Sequence, residues 1–189
     1  MLLSKTISAE EYLAFERGSD EKHEFIFNFV VPKAASNRRH SVTSVNLLAL
    51  IGNHLLYSEN ETYPSDMRVL NTANSSYFYP DVSVSDGVAK MMDNDILTNP
   101  LLIIEVLSDS TAVFDKRNAA RTDKFIAYRT IPSLKEYILV STELPQIEIF
   151  HKKTDDSWSV ETIHGLENSA YFQSIDLKIA LKDVYQRVF

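Results

Sequence analysis

Two carboxylates in this sequence stand where a charge is costly. Glu105 interrupts the aliphatic run from Leu101 to Leu107, whose composition is typical of a strand buried on both faces. An unpaired charge there costs several kcal/mol, so Glu105 needs a partner cation or a raised pKa. Asp81 follows Pro80, and because proline cannot donate a sheet hydrogen bond, Asp81 is expected near the beginning or edge of a second strand.

Carboxylates from two neighbouring strands repel each other unless a divalent cation lies between them. Such a cation also lowers the pKa of a coordinated water enough for attack on a phosphate. The chain has no Cys, so a tight metal site must use oxygen or His ligands, and oxygen ligands favour Mg or Mn. We therefore predict a metal site at Asp81 and Glu105. The alternative is that Asp81 only forms a turn and that Glu105 pairs with a buried Arg or Lys.

The elements predicted around these acids form one domain over residues 1–189. A capping box of Ser8 and Glu11 predicts a first helix, apolar residues at helical spacing predict a second from His40 to Tyr57, and a third is predicted over 113–130. The predicted strands span residues 23–31, 61–70, 77–85, 101–107, 136–141, 147–151 and 158–163, with a last strand and short helix within 175–185. We predict an α/β (α+β) fold whose central, mixed and mostly antiparallel sheet is flanked by helices, with the strands at 61–70, 77–85 and 101–107 as neighbours.

Charge and hydropathy limit the classes of partner. Nineteen basic and 26 acidic side chains give a net charge of -7, which argues against avid binding to a polyanion through counterion release. A nucleic-acid role therefore needs a local basic cluster, and the third predicted helix carries one that includes Lys116, Arg117 and Arg121. No apolar run reaches the roughly 18 residues of a membrane span. We expect a cytoplasmic protein that makes no contact with membranes.

Four stretches, taken in order, give the chain a specific resemblance. They are Glu10 to Leu13 leading to His23 to Ile26, then Tyr79 to Val82, then Ile104 to Thr111, and finally Lys124 to Tyr128 running on to Pro132 to Tyr137. With these motifs the chain resembles, over nearly its whole length, the Uma-type restriction endonuclease family of the PD-(D/E)XK nuclease superfamily. The resemblance implies a restriction-endonuclease-like core, double-stranded DNA as substrate and a homodimer. It also implies Asp81 and Glu105 as Mg or Mn ligands, with the backbone carbonyl of Val106 as a further ligand.

The usual superfamily pattern places a Lys two residues after the Glu, on the same face of the strand, where it stabilises developing negative charge. Here that position is Leu107. The Uma-type family departs from the superfamily in the same way, and the resemblance assigns the role to the following helix, where Lys124 and Tyr128 match the family's Lys and Tyr. Lys124 is therefore our candidate catalytic cation. The alternative is that Lys124 is a solvated charge on an amphipathic helix.

Three residues are candidate accessory groups of this site: Glu24, His40 and Tyr128. Glu24 lies in an otherwise apolar predicted strand, and the resemblance implies that it assists metal binding, as N-terminal acidic residues of the superfamily core sometimes do. The alternative is an edge-strand charge or a salt bridge to Arg38. His40 opens the long helix and matches a His of the family, where it would contact phosphate or activate water near neutral pH. The alternative for His40 is a capping or surface role.

The function that these expectations favour is a Mg-dependent DNA endonuclease that hydrolyses phosphodiester bonds by a metal-activated water. In it, Asp81 and Glu105 hold the ion and Lys124 stabilises charge. A second hypothesis is a catalytically degenerate DNA-binding or regulatory module of the same fold, because Leu107 stands at the usual Lys position. A third is another phosphodiester or small-nucleotide reaction, since the fold alone does not determine the chemistry.

Overall fold

The computed structural model describes residues 7–33, 35–107 and 124–189. Its helices are α1 (Ala9–Glu16), α2 (Arg38–His54), α3 (Phe125–Tyr128) and α4 (Leu181–Val184), with a 3₁₀ turn at Gln173–Ile175. Its strands are β1 (His23–Ile26), β2 (Phe29–Pro32), β3 (Thr62–Pro64), β4 (Arg68–Asn71), β5 (Ser76–Phe78), β6 (Val82–Ser85), β7 (Met91–Met92), β8 (Ile96–Leu97), β9 (Pro100–Leu107), β10 (Glu136–Ser141), β11 (Gln146–Lys152), β12 (Trp158–His164), β13 (Ser169–Phe172) and β14 (Leu177–Ala180). Across the described ranges, every helix is too short or too polar to cross a membrane.

The strands form two six-stranded sheets and a separate hairpin. The first sheet has the order β2-β1-β5-β4-β8-β7 and the second sheet the order β12-β11-β10-β9-β6-β3, while β13 pairs with β14. Neighbouring strands are antiparallel except for β4 with β8 and β9 with β10, which are parallel. The predicted α+β class with mostly antiparallel strand pairing is therefore confirmed, although the strands are divided between two sheets rather than gathered in one.

Two prolines explain this division. The segments 61–70 and 77–85, each predicted as one strand, are each split between the sheets, with β3 and β6 in the second sheet and β4 and β5 in the first. Pro64 ends β3, and a turn closed by the Met67 N–H on the Pro64 carbonyl follows it. Pro80 lies between β5 and β6, where it cannot continue a hydrogen-bonded ladder. Asp81 thus lies at the bend where the chain passes from one sheet to the other.

The second sheet has an apolar layer on each face. On one face it packs against α2, α4 and the β13–β14 hairpin, and on the other against the first sheet and α3. Side chains of β9 alternate between these layers, with Ile104 and Val106 in the one and Ile103 in the other. By the same alternation Glu105 shares the face of Ile103 and points into the layer between the sheets.

The predicted strand at 23–31 is a hairpin. Phe27 and Asn28 form its two-residue turn with φ of 49° and 69°, and Ile26 pairs with Phe29 across it. Positive φ at both turn residues suits the right-handed twist of the paired strands. Since β1 lies between β2 and β5, Glu24 is on an internal strand and the expectation of an edge-strand charge is wrong.

The long predicted helix is α2, which begins two residues before His40. Its N-cap is Asn37, whose side chain accepts the His40 N–H at 2.9 Å. His40 therefore lies in the first turn, at the positive end of the helix dipole. Of the helix predicted over 113–130, the described residues include α3 with Lys124 directly before it; Lys116, Arg117 and Arg121 lie outside the described residues.

Glu136, at the start of β10, fixes the 3₁₀ turn at Gln173–Ile175. Its side chain is buried and accepts the backbone N–H groups of Gln173 and Ser174, each at 2.9 Å. Glu136→Ala leaves both donors without that acceptor, so we expect the free energy of unfolding in urea to fall by about 2–3 kcal/mol. The exposed Glu161 is the control, and its Ala variant should stay within about 0.5 kcal/mol of the parent. Equal stability of the two variants would refute this role.

Candidate active site

Asp81 is buried at the bend between the sheets and links three elements. Its Oδ2 accepts the backbone N–H of Val106 at 2.8 Å and lies 3.1 Å from Nε2 of His40. Its Oδ1 lies 3.1 Å from Nζ of Lys33, in the segment that follows β2. The carboxylate thereby joins the end of β9, the first turn of α2 and the end of the β1–β2 hairpin.

The surroundings of Asp81 favour its ionised form. Burial alone raises the pKa of this carboxyl, but the hydrogen bond from His40, the charge of Lys33 and the N–H of Val106 together outweigh burial. The pKa of Asp81 consequently lies well below its usual range. Asp81 is therefore negatively charged at neutral pH, the form in which a carboxylate binds a metal ion.

Glu105 is buried on the neighbouring strand and has its own cation. Its Oε1 accepts hydrogen bonds from Lys124 Nζ and from the Tyr128 hydroxyl, both at 2.9 Å. Lys124 comes from the residue before α3, and its side chain is only 21% exposed. The alternative of a solvated helix charge at Lys124 is therefore wrong. The sequence alternative that Glu105 pairs with a buried Arg or Lys corresponds to this contact with Lys124.

Lys124 also contacts a third carboxylate, Glu24 on β1. Its Nζ lies 2.9 Å from Glu24 Oε1, and the same oxygen accepts the backbone N–H of Tyr79 at 3.1 Å. The pairing of Glu24 with Arg38 considered above is wrong, because Arg38 instead donates to the carbonyl of Arg187 at 3.0 Å. One ammonium group thus connects acids from the first and second sheets.

Burial and neighbouring charges act in opposite directions on this pair. Burial raises the pKa of Glu105, and the nearby Asp81 and Glu24 raise it further, against the lowering effect of Lys124. Burial lowers the pKa of Lys124, but Glu105 and Glu24 more than reverse that effect, so the pKa of Lys124 is raised and the ammonium stays charged. The acids therefore have an excess of negative charge that additional positive charge would relieve.

The donor set fits a small divalent cation with oxygen preference. Within residues 7–33, 35–107 and 124–189, no group of three or more His, Asp and Glu side chains is placed to hold a metal ion. A site here would consist of Asp81, Glu105 and the Val106 carbonyl, which faces the same side of β9 as the Val106 N–H that bonds Asp81. Mg²⁺ in proteins typically uses one or two carboxylates and keeps several waters. The residues present match that requirement.

The structure brings most of the predicted residues together and adds one that was not predicted. Those that converge are Asp81, Glu105, Val106, Lys124, Glu24, His40 and Tyr128. His40 is buried against Asp81, so its surface alternative is wrong. Lys33 was not predicted, because it lies in an aperiodic loop segment and its partner Asp81 is distant in sequence; no local pattern signals it.

Comparison with known proteins gives close and distant relatives of this chain. Two proteins of Synechocystis sp. (strain ATCC 27184 / PCC 6803 / Kazusa) are similar to it. Uncharacterized protein sll1609 is 38% identical over 164 residues, which are 86% of this chain and 90% of that protein. Uncharacterized protein slr1290 is 33% identical over 180 residues, which are 95% of this chain and 92% of that protein. The chain and these relatives thus correspond over most of their lengths.

Among solved structures, a "putative nuclease belonging to DUF820" from Anabaena variabilis ATCC 29413 superposes on this chain with a TM-score of 0.76. The superposition covers 97% of this chain and 99% of the other at 15% sequence identity, which shows that the fold is shared. The model of the Uma2 family, described as "Putative restriction endonuclease", matches residues 9–181. With that match and these relatives, the chain belongs to the Uma2 family.

Proposed function

We propose that this protein is a Mg-dependent DNA endonuclease whose metal site is formed by Asp81 and Glu105. The observation that carries the proposal is the hydrogen bond from the Val106 N–H to Asp81 Oδ2 at 2.8 Å. This bond fixes the Asp81 carboxylate beside Val106, the residue that follows Glu105 in β9. Membership of a family described as "Putative restriction endonuclease" favours phosphodiester hydrolysis as the reaction at these two acids.

The residues around the acids have separable tasks in this proposal. When bound, Mg²⁺ supplies Lewis acidity at the phosphate and a lowered pKa for a coordinated water. Asp81 is oriented for it by His40 and Val106, which hold Oδ2 and leave Oδ1 directed at Lys33. Glu105 is oriented by Tyr128 and Lys124, which both hold Oε1. Locked carboxylates of this kind reduce the reorganisation needed during reaction.

Lys124 takes the task that the superfamily pattern gives to position 107. Leu107 packs among apolar side chains of the layer between the sheets and brings no charge. The ammonium of Lys124 instead reaches the carboxylate of Glu105 from the start of α3. This helix packs over the layer between the sheets through Ala127 and Tyr128. In the proposal this ammonium stabilises negative charge that develops on the phosphate.

The substrate in this proposal is double-stranded DNA, and the active form is a homodimer. Two sites related by a two-fold axis suit cleavage of two antiparallel strands. Lys116, Arg117 and Arg121, outside the described residues, are proposed to contact backbone phosphates. Because the net charge is -7, such contacts must be local, and binding should weaken steeply with salt according to the number of phosphates contacted.

The proposal is tested directly on the unaltered protein with supercoiled plasmid. We expect nicked and linear products with Mg²⁺ or Mn²⁺ and none with EDTA, and we expect Mg²⁺ to raise the melting temperature, since it binds the folded state. Single-stranded and branched DNA in parallel reactions identify a different nucleic-acid substrate. Binding of DNA without cleavage of any of these, combined with no heat of Mg²⁺ binding, would instead establish the degenerate module that Leu107 suggests.

A further inference from the structure

Lys33 is a largely buried lysine that contacts Asp81, one of the residues proposed to hold the metal ion. Its side chain is 16% exposed, and its Nζ lies 3.1 Å from Asp81 Oδ1 and also donates to the Tyr79 carbonyl. Its backbone is fixed at the end of β2, where the Lys33 N–H bonds the Lys22 carbonyl at 2.8 Å. The side chain is thus directed from a fixed point at the bend that contains Asp81.

The two oxygens of Asp81 differ in how firmly they are held. Oδ2 is held by a backbone N–H of β9 and by the ring of His40 on α2. Within the described residues, Oδ1 is contacted by Lys33 alone. On Glu105 the hydrogen bonds from Lys124 and Tyr128 both fall on Oε1. Lys33 thus occupies the position on Asp81 Oδ1 that a metal cation would take.

The two lysines of the site are bound with different strength. Lys124 lies between two carboxylates, Glu24 and Glu105, and both distances are 2.9 Å. Among the described residues Lys33 contacts one carboxylate, Asp81, and one uncharged carbonyl, so it has one ion pair where Lys124 has two. Its four-carbon stem is flexible and its ammonium is readily hydrated. Lys33 is therefore the lysine that an arriving cation can displace.

The balance of charge favours this displacement. Among the described residues, the three ionised carboxylates of Asp81, Glu105 and Glu24 and the two ammonium groups of Lys33 and Lys124 that pair with them sum to one net negative charge. A divalent cation reverses it to one net positive charge, and a phosphodiester then brings the sum to zero. A metal ion at Asp81 and the ammonium of Lys33 repel each other, whereas Lys33 and a phosphate attract each other.

We propose that Lys33 is a built-in counter-ion of Asp81 that a divalent metal displaces, and that its released ammonium binds the substrate phosphate. The inference rests on the proposed function and deepens it by adding a second cation to the site. In this proposal Lys33 weakens metal binding and accelerates cleavage. A residue needed only for folding would not have these opposed effects.

The test measures Mg²⁺ affinity by calorimetry and cleavage rate at saturating Mg²⁺ for Lys33→Met. Removing the competing charge should tighten Mg²⁺ binding about tenfold, while loss of the phosphate contact should slow cleavage about a hundredfold. Lys33→Arg keeps the charge and should restore affinity close to that of the parent. Lys22→Met is the matched control, because Lys22 pairs with the exposed Asp66 instead, and it should change neither quantity.

Lysine side-chain NMR of the unaltered protein gives a second measurement that does not require the variant to fold. Addition of Mg²⁺ should shift the Lys33 Cε and Hε signals toward those of a hydrated lysine. Unchanged Lys33 signals at saturating Mg²⁺, or Lys33→Met affinity equal to or weaker than that of the parent, would overturn the inference. If the parent binds Mg²⁺ but cleaves no DNA, the endonuclease proposal fails while affinity and NMR still decide the role of Lys33. If it binds no Mg²⁺, both fail.

Discussion

Asp81→Ala is expected to lower Mg²⁺-dependent cleavage by about a thousandfold or more, because it removes one of the two carboxylates proposed to hold the ion. A loss of that size corresponds to roughly 4 kcal/mol of transition-state stabilisation, the scale of a metal ligand's contribution. The measurement is the single-turnover rate of plasmid cleavage at several Mg²⁺ concentrations. Asp66→Ala is the matched control, because Asp66 is an exposed aspartate paired with Lys22, and it should retain the full rate.

Asp81→Asn separates this chemical effect from a structural one. The amide oxygen can still accept the Val106 N–H, so the variant should fold, yet it lacks the charge that a cation requires. The folded-state pKa of Asp81 is depressed, so its ionised form stabilises the protein above the unfolded-state value of about 3.8. The parent's higher free energy of unfolding, relative to Asp81→Asn, should therefore decline as the pH falls below about 3.8. Undiminished Mg²⁺-dependent cutting by either variant would refute the proposed metal site.

The acidic pair could be predicted from the sequence because its signals are local. A lone carboxylate in the aliphatic strand 101–107 and an aspartate after Pro80 are each visible in a few residues. The same Pro80, with Pro64, also explains why one predicted sheet is two. Proline shows where a ladder must stop, but not which sheet the chain enters next, since that depends on packing between distant segments.

The cations of the site were harder to predict, for a physical reason. Only the resemblance to a family indicates Lys124, because the spacing of helix residues does not predict its contacts with Glu105 and Glu24. Lys33 has no such signal, because its contact with Asp81 joins the segment after β2 to the bend after β5, two strands away in the first sheet and distant in sequence. Long flexible side chains reach partners that sequence periodicity does not encode.

Lys124→Met should destabilise the metal-free protein by about 3–5 kcal/mol, because it leaves Glu24 and Glu105 buried without their shared cation. The free energy of unfolding in urea measures the loss. Lys135→Met, at an exposed position, is the control and should stay within about 0.5 kcal/mol of the parent. Adding Glu24→Gln to Lys124→Met removes one of the two unpaired charges and should recover part of the stability.

The pH dependence of this loss follows from the raised pKa of Lys124. A cation whose pKa is higher in the folded state stabilises the protein at all pH values below its unfolded value of 10.5, and that contribution declines as the pH rises beyond it. The difference in free energy of unfolding between the parent and Lys124→Met should therefore have its full size at neutral pH. This difference should become smaller in acid, where protonation of Glu105 removes the charge that the variant leaves unpaired.

Cleavage by Lys124→Met should fall at least a hundredfold even at saturating Mg²⁺, because the charge proposed to stabilise the phosphate is lost together with the orientation of Glu105. Mg²⁺ should recover part of the variant's stability by supplying positive charge to Glu105, and this recovery separates a site residue from a purely structural one. A variant that is destabilised but cleaves at the parent rate when Mg²⁺ has restored its fold would show that Lys124 only balances buried charge. Among the described residues, Lys33 would then be the lysine that remains to stabilise the phosphate.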